Sequence, residues 1–248
     1  MAIREIDLKK QPTSIEEYRA WLEKLCGKEI GSRMRNHYES VALKVKHDFE
    51  ASDFWANVAG ELSEFDAKYQ LETGFPLLVS IDPPKILTKS YESFLLKTYR
   101  RNVIDNEDWP DPPSGGWLQP PDWFSRINDI VRTCFAVKYL DGVEFLLEKM
   151  QQEAEKLGVQ TKQYFVAGDD GYYAAHFYAE WDFEIPLMTY DTRLQTMHIE
   201  LQITSQLQEV IRRMLHRHFE ARRGQLKKSE VDWQWDYRSE ALVHESQA

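Results

Sequence analysis

Cysteine is scarce in this chain of 248 residues, which contains only Cys26 and Cys134. Neither has a neighbour at metal-ligand spacing, so the sequence predicts a reducing compartment and no structural disulfide. No run of 18 apolar residues occurs, which argues against a membrane-spanning helix. The charged first ten residues lack the apolar core of a signal peptide. We therefore expect a cytoplasmic protein with no membrane partner.

Basic charge is also in deficit, because 31 lysines and arginines face 41 aspartates and glutamates, for a net charge of −10. This deficit argues against a general nucleic-acid binder, since phosphate contacts need lysine and arginine. The exception is a basic segment at 211–228; it carries +6, so the rest of the chain carries −16. Such a segment could bind an anionic ligand or could be a solvated helix face.

Hydrophobic residues (42%) and aromatic residues (13%) are frequent enough to build a sizeable core. The first third favours helices, at about 15–27 behind a capping box of Ser14 and Glu17 and at about 33–72 with a break near 51–53. Strands and helices then alternate, except that the last two strands have no helix between them. The sequence therefore predicts an α+β fold, a mixed β-sheet of about five strands flanked by helices, with a helical N-terminal extension. Helices are predicted at about 91–103, 143–157 and 206–222, and strands at about 130–140, 163–166, 172–185 and 196–204.

A long loop at 105–123 contains five prolines, three tryptophans and two adjacent glycines. Loops of this length are often functional. The alternative is that the tryptophans only attach the loop to the core.

Four residues spaced by four form one stripe on a predicted helix: Lys89, Ser93, Lys97 and Arg101. Ser90 can cap that helix, which leaves Lys89 at its positive N-terminal end, where phosphates bind well. The stripe could hold a polyphosphate, or it could be a solvated face.

Two acidic residues belong to predicted strands. Asp129 stands at the start of an apolar strand, where it could bind magnesium or cap the strand end. Glu200 shares one face of the strand 197–203 with His198 and Gln202, while apolar residues occupy the other face. The polar face could line a cleft or could simply be solvated.

An aromatic residue follows a glycine turn at Gly171-Tyr172, and His176 lies on the same face of the next predicted strand. Tyr172 could stack on a base or could be a core residue.

The order and spacing of these motifs resemble the RelA/SpoT type of (p)ppGpp synthetase domain over about residues 83–220. The helical first third is similar to the leading helices of small, single-domain alarmone synthetases. This resemblance implies a helical region at 1–76 that packs on a synthetase domain at 77–228, followed by a tail at 229–248.

The resemblance also implies roles for individual residues. Asp129 and Glu200 would hold Mg²⁺, and Glu200 would activate the attacking ribose hydroxyl. The ATP phosphates would be bound by Lys89, Ser93, Lys97 and Arg101, and the acceptor by Tyr172, His176, Gln202 and His216.

The implied reaction transfers the β,γ-diphosphate of ATP to the 3′-hydroxyl of GDP or GTP. One alternative is a toxin with a neutralising antitoxin that modifies the tRNA 3′ end or makes adenine alarmones. A second is an inactive nucleotide-binding regulatory module. Whether the chain forms a homo-oligomer is left open.

The sequence departs from the family pattern at two arginine positions, which here are Leu87 and Cys134. In the family those two arginines commonly enclose adenine. Arg126, Arg132 or a tryptophan of the 105–123 loop are the candidates to replace them.

Overall fold

The computed structural model describes residues 8–167, 173–189 and 191–211. Tyr172, His216, the tail at 229–248 and all but the first residue of the basic segment lie outside the described residues. Within the described part of the chain, no helix is both long and apolar enough to cross a membrane.

Four helices form the first third of the chain. The hydroxyl of Ser14 accepts a hydrogen bond from the Glu17 backbone N–H and begins the first helix, as the capping box predicts. The predicted helix at 33–72 is in fact three helices, because the Ser52 hydroxyl caps a new helix and a second break follows at Glu61. The helices are α1 (Ile15–Cys26), α2 (Ser32–Glu50), α3 (Asp53–Gly60) and α4 (Leu62–Thr73).

The second part of the chain forms a sheet in the order β1-β2-β5-β4-β3. Only the pair β2–β5 is parallel, and the other three pairs are antiparallel. This mixed five-stranded sheet, together with the helices, confirms the predicted α+β class; the domain boundaries at 76 and 228 stay predictions. The strands are β1 (Leu87–Thr88), β2 (Val131–Val137), β3 (Gln160–Ala167), β4 (Tyr173–Pro186) and β5 (Thr192–Ser205).

Three further helices lie between the strands. The helix α5 ends at Tyr99, earlier than the predicted 103. A π-helical turn, Arg100–Ile104, replaces the last part of the predicted helix. The helices are α5 (Tyr91–Tyr99), α6 (Trp123–Arg126) and α7 (Asp141–Lys156).

The two faces of the sheet differ in character. Helices α2, α3 and α7 contact the apolar face, where Phe54 of α3 lies 6.2 Å from Phe177 and 5.4 Å from Trp181, measured between ring centroids. The predicted alternation along β5 is present, since the four apolar residues at 197, 199, 201 and 203 are all buried. The opposite face therefore carries the polar side chains of β2, β4 and β5.

The 105–123 loop is held against α1 by aromatic contacts. Trp109 and Trp117 pack on Trp21, with ring centroids 5.6 and 5.0 Å away. Trp123 is 1% exposed and packs edge-on against Phe94. Of the two interpretations of the tryptophans, the structure supports attachment of the loop to the core.

A buried asparagine completes this attachment. The Asn102 amide donates to the Tyr18 hydroxyl (2.9 Å) and to the Leu118 carbonyl (3.0 Å), and its oxygen accepts from the Leu118 backbone N–H (2.8 Å). One side chain thus joins α1, the π-helical turn and the loop.

We expect Asn102→Ala to lower the free energy of unfolding by roughly 2–3 kcal/mol, because it leaves buried groups of Leu118 without partners. Urea denaturation of wild type and variant measures the difference. Asn57→Ala is the matched control, since Asn57 is exposed on α3; it should change stability by less than about 0.5 kcal/mol. Equal effects of the two substitutions would contradict the role given to Asn102.

Candidate active site

The N-terminus of α5 is fixed beside the start of β2. The Ser90 hydroxyl accepts from the Ser93 backbone N–H, so Ser90 caps α5 as the sequence predicts. The Lys89 backbone N–H donates to the Ile130 carbonyl at 2.8 Å, and the Tyr38 hydroxyl donates to the Lys89 carbonyl at 2.9 Å. These bonds place the positive end of α5 next to Asp129.

Asp129 lies between two lysines. Its Oδ2 atom is 2.9 Å from Lys89 Nζ, and its Oδ1 atom is 2.8 Å from Lys97 Nζ. The side chains of Lys89 and Asp129 are 9% and 12% exposed, whereas that of Lys97 is 31% exposed. The cluster carries a net positive charge and is open to solvent on the Lys97 side.

Burial and neighbouring charges shift the pKa values of Asp129 and Lys89. Burial raises the pKa of Asp129, but Lys97 and Lys89 outweigh burial, so the pKa lies below its ordinary value. Burial lowers the pKa of Lys89, and Asp129 only partly opposes this. Asp129 therefore keeps its negative charge at neutral pH, where it is paired with the two ammonium groups.

The other two members of the predicted phosphate-binding stripe are placed differently. Ser93 is exposed in the first turn of α5 and accepts a hydrogen bond from the Ser90 hydroxyl at 3.0 Å. Arg101 falls in the π-helical turn, where the wider backbone changes the direction of the side chain. Its guanidinium donates to the Arg126 carbonyl at 2.8 Å. Arg101 thus contacts the end of α6.

Glu200 lies in the middle of β5 and is 3% exposed. Its Oε1 atom is 2.7 Å from His176 Nδ1 and accepts a hydrogen bond from the Tyr178 hydroxyl at 2.9 Å. Because a carboxylate only accepts, His176 must carry its proton on Nδ1. His176, predicted to bind the acceptor, thus touches the carboxylate. Gln202 lies opposite His176 in the register.

Glu200 is also held as an anion. Burial raises its pKa, and the hydrogen bond from His176 opposes this, while the charge of Asp129 adds to the rise. The hydrogen bond from Tyr178 helps to bring the pKa of Glu200 below its ordinary value.

The pairing of β2 with β5 brings the segment that contains Asp129 beside the strand that carries Glu200. In the parallel pair, Arg132 of β2 lies opposite Glu200 of β5, and Asp129 precedes Arg132 by three residues. No group of three or more metal-ligating side chains occurs among the described residues. Mg²⁺ typically takes one or two carboxylates and completes its shell with water and substrate phosphates. Asp129 and Glu200 are ligands of the chemical type that Mg²⁺ takes; that they share one ion stays a prediction.

Arg126 and Arg132, the two arginines considered for adenine contact, differ in the contacts of their guanidinium groups. The guanidinium of Arg126 donates to the Trp117 carbonyl (3.0 Å) and the Gly116 carbonyl (3.1 Å), so it holds the loop. Arg132 is half-buried on the polar face and forms no salt bridge with any described residue. In the antiparallel pair of β1 and β2, Arg132 lies opposite Leu87, which is 54% exposed.

Tyr178 also contacts Glu200, a contact that the sequence motifs did not indicate. The available signal was its spacing, since it lies two residues after His176 on the same strand face. Its hydroxyl reaches Glu200 only because β4 and β5 pair in the register that sets Tyr178 opposite Glu200.

Comparison with known proteins finds no matching family model and no matching curated protein. Solved structures do match. Small alarmone synthetase 1 from Bacillus subtilis bound to its product pppGpp has 13% identity and a TM-score of 0.43, covering 82% of this chain and 98% of that chain. A GTP pyrophosphokinase family protein from Streptococcus pneumoniae has 16% identity and a TM-score of 0.42, and the match covers 81% of this chain and 90% of that chain. Small alarmone synthetase 2 from Bacillus subtilis has 15% identity and a TM-score of 0.39, and the match covers 74% of this chain and 91% of that chain.

We expect Asp129→Asn to destabilise the protein by roughly 3 kcal/mol at neutral pH, the low end for a buried ion pair that loses one partner, because Lys97 remains partly solvated. The depressed pKa of Asp129 means that its ionised form contributes stability above the ordinary aspartate value of 3.8. That contribution is lost as the pH falls through the lower, folded-state pKa.

Denaturant unfolding of wild type and Asp129→Asn across this pH range tests the prediction, with Asp53→Asn at the exposed start of α3 as the control. The difference between wild type and Asp129→Asn should shrink as the pH falls. A difference that stays constant with pH would show that the charge of Asp129 is not responsible.

Proposed function

We propose that this chain is a magnesium-dependent pyrophosphokinase that transfers the β,γ-diphosphate of ATP to the 3′-hydroxyl of GDP or GTP. The observation that supports this most is the pair of buried carboxylates, one just before β2 and the other on its parallel neighbour β5. Asp129 lies beside two ammonium groups, and Glu200 is held by two hydrogen-bond donors. This arrangement combines cation ligands, phosphate ligands and a proton acceptor.

The lysines form the donor side of the site. Lys89 lies at the positive end of α5, where the helix dipole adds to its charge, whereas Lys97 lies in the last turn of that helix. Both ammonium groups contact Asp129 in the absence of nucleotide, and both can instead neutralise the oxygens of a triphosphate. Magnesium, bound by Asp129 and Glu200, would supply further charge neutralisation on the transferred phosphates.

Glu200 forms the acceptor side. The ribose O3′ forms a bond to the β-phosphorus of ATP. The bond between that phosphorus and the oxygen that bridges the α- and β-phosphates breaks, and AMP leaves with this oxygen. The hydroxyl proton passes to Glu200. A carboxylate of low pKa is a weak base, which suits a loose transition state that needs orientation more than early deprotonation.

The adenine of ATP packs against Arg132 and Leu87 in this proposal. A guanidinium stacks well on an aromatic ring, and an exposed leucine offers an apolar surface beside it. The two side chains are direct cross-strand neighbours between β1 and β2. Arg132 is free of ion pairs with the described residues, so it can bind the base without losing a partner.

We expect Glu200→Gln to lower kcat by roughly 100-fold or more, the usual scale for a general acid–base group. The substitution preserves the shape of the side chain, so the fold should remain. Steady-state kinetics and circular dichroism measure the two effects. Glu184→Gln is the control, because Glu184 is exposed near the end of β4; turnover of Glu200→Gln equal to that of this control would refute the assignment.

The acceptor is tested by incubating the protein with ATP labelled in the β-phosphate and, in parallel, GDP, GTP, ADP and bulk tRNA. We expect label in GDP and GTP with release of AMP, because the acidic bulk of the chain repels a large polyanion. Label in tRNA or ADP instead would favour the toxin alternative. ATP binding without transfer to any acceptor would indicate a regulatory module.

A further inference from the structure

Two donors converge on one oxygen of Glu200. The Tyr178 hydroxyl and His176 Nδ1 both contact Oε1, at 2.9 and 2.7 Å. Tyr178 lies directly opposite Glu200 in the antiparallel β4–β5 pair. His176 lies two residues before Tyr178, on the same face of β4. The contacts therefore follow from the register of the two strands.

The other oxygen of Glu200 has a different environment. Oε2 accepts no hydrogen bond from any described residue. Two donors on Oε1 fix the rotation of the carboxyl group and leave the lone pairs of Oε2 for a ligand. With two donors, Oε1 has both of its lone pairs occupied, whereas Oε2 keeps its own for an incoming hydroxyl or cation.

Tyr178 is suited to this task because it is itself fixed. Its ring stacks on the His176 ring at 6.2 Å and meets the Tyr164 ring edge-on at 6.0 Å. Burial raises the pKa of the Tyr178 phenol, and the neighbouring charge of Glu200 raises it further. The hydroxyl therefore keeps its proton and acts only as a donor towards Glu200.

We infer that Tyr178 is a positioning residue for the transfer, holding Glu200 so that Oε2 faces the ribose hydroxyl of the acceptor nucleotide. Tyr178 acts through Glu200 and does not itself touch the substrate. The inference rests on the proposed function, and it assigns to β4 the task of orienting the proton acceptor on β5.

The test is the variant Tyr178→Phe, which removes only the hydroxyl. Loss of a group that orients a side chain in direct contact with the metal or the substrate typically lowers activity by about 10- to 100-fold. We therefore expect kcat to fall by that factor. The KM values for ATP and the acceptor should stay within about twofold, because the lost interaction matters in the transition state only. Tyr164→Phe is the matched control, since it removes a hydroxyl that bonds to no described residue; it should behave as wild type.

A double-mutant cycle separates positioning from a general structural role. In the Glu200→Gln background, adding Tyr178→Phe should change kcat by less than about twofold, because the two residues act as one unit. Additive losses would overturn the inference, since Tyr178 would then act independently of Glu200. Wild-type kcat in Tyr178→Phe alone would overturn it as well.

A crystal structure of Tyr178→Phe supplies a readout that needs no activity. We expect the Glu200 carboxylate to occupy more than one orientation once Oε1 has lost a donor. A single orientation, with Oε1 still at His176, would overturn the inference. If wild type transfers diphosphate to no acceptor, the proposed function fails, and the carboxylate orientation still decides whether Tyr178 holds Glu200.

Discussion

The parallel pairing of β2 with β5 is the constraint on which the candidate site depends. It joins the strand that follows Asp129 to the strand that carries Glu200, with Arg132 directly opposite Glu200. Because β5 is central, a second neighbour, β4, reaches Glu200 from the other side and supplies Tyr178 and His176. A strand at the edge of the sheet would have only one neighbour and could not bring groups from both sides to one carboxylate.

The two carboxylates are kept ionised by different means. Asp129 is compensated by the positive charges of Lys89 and Lys97, whereas Glu200 is compensated by hydrogen bonds from His176 and Tyr178. Burying an anion is costly unless it is paired or hydrogen-bonded, so both arrangements support the fold. Asp129 thus depends on charge, whereas Glu200 depends on hydrogen bonds.

The aromatic contacts of the 105–123 loop have a structural role that extends to the site. Trp109 and Trp117 attach the loop to Trp21 of α1, and the loop in turn engages the guanidinium of Arg126. This leaves Arg132 as the arginine on the polar face beside Leu87. The first helix of the chain is thereby connected, through the loop, to Arg126.

The sequence by itself determined the features that depend on neighbours along the chain. These include the caps at Ser14 and Ser90, the alternation along β5 and the α+β class, because capping and periodicity act within a few residues. Only the tertiary structure decided the contacts between distant segments. The strand order put Tyr178 on Glu200, the π-helical turn directed Arg101 to α6, and the ion cluster joined Lys89 and Lys97 to Asp129. Local spacing indicates which side chains share a face, but it does not determine which strands pair, and pairing decides which charges meet.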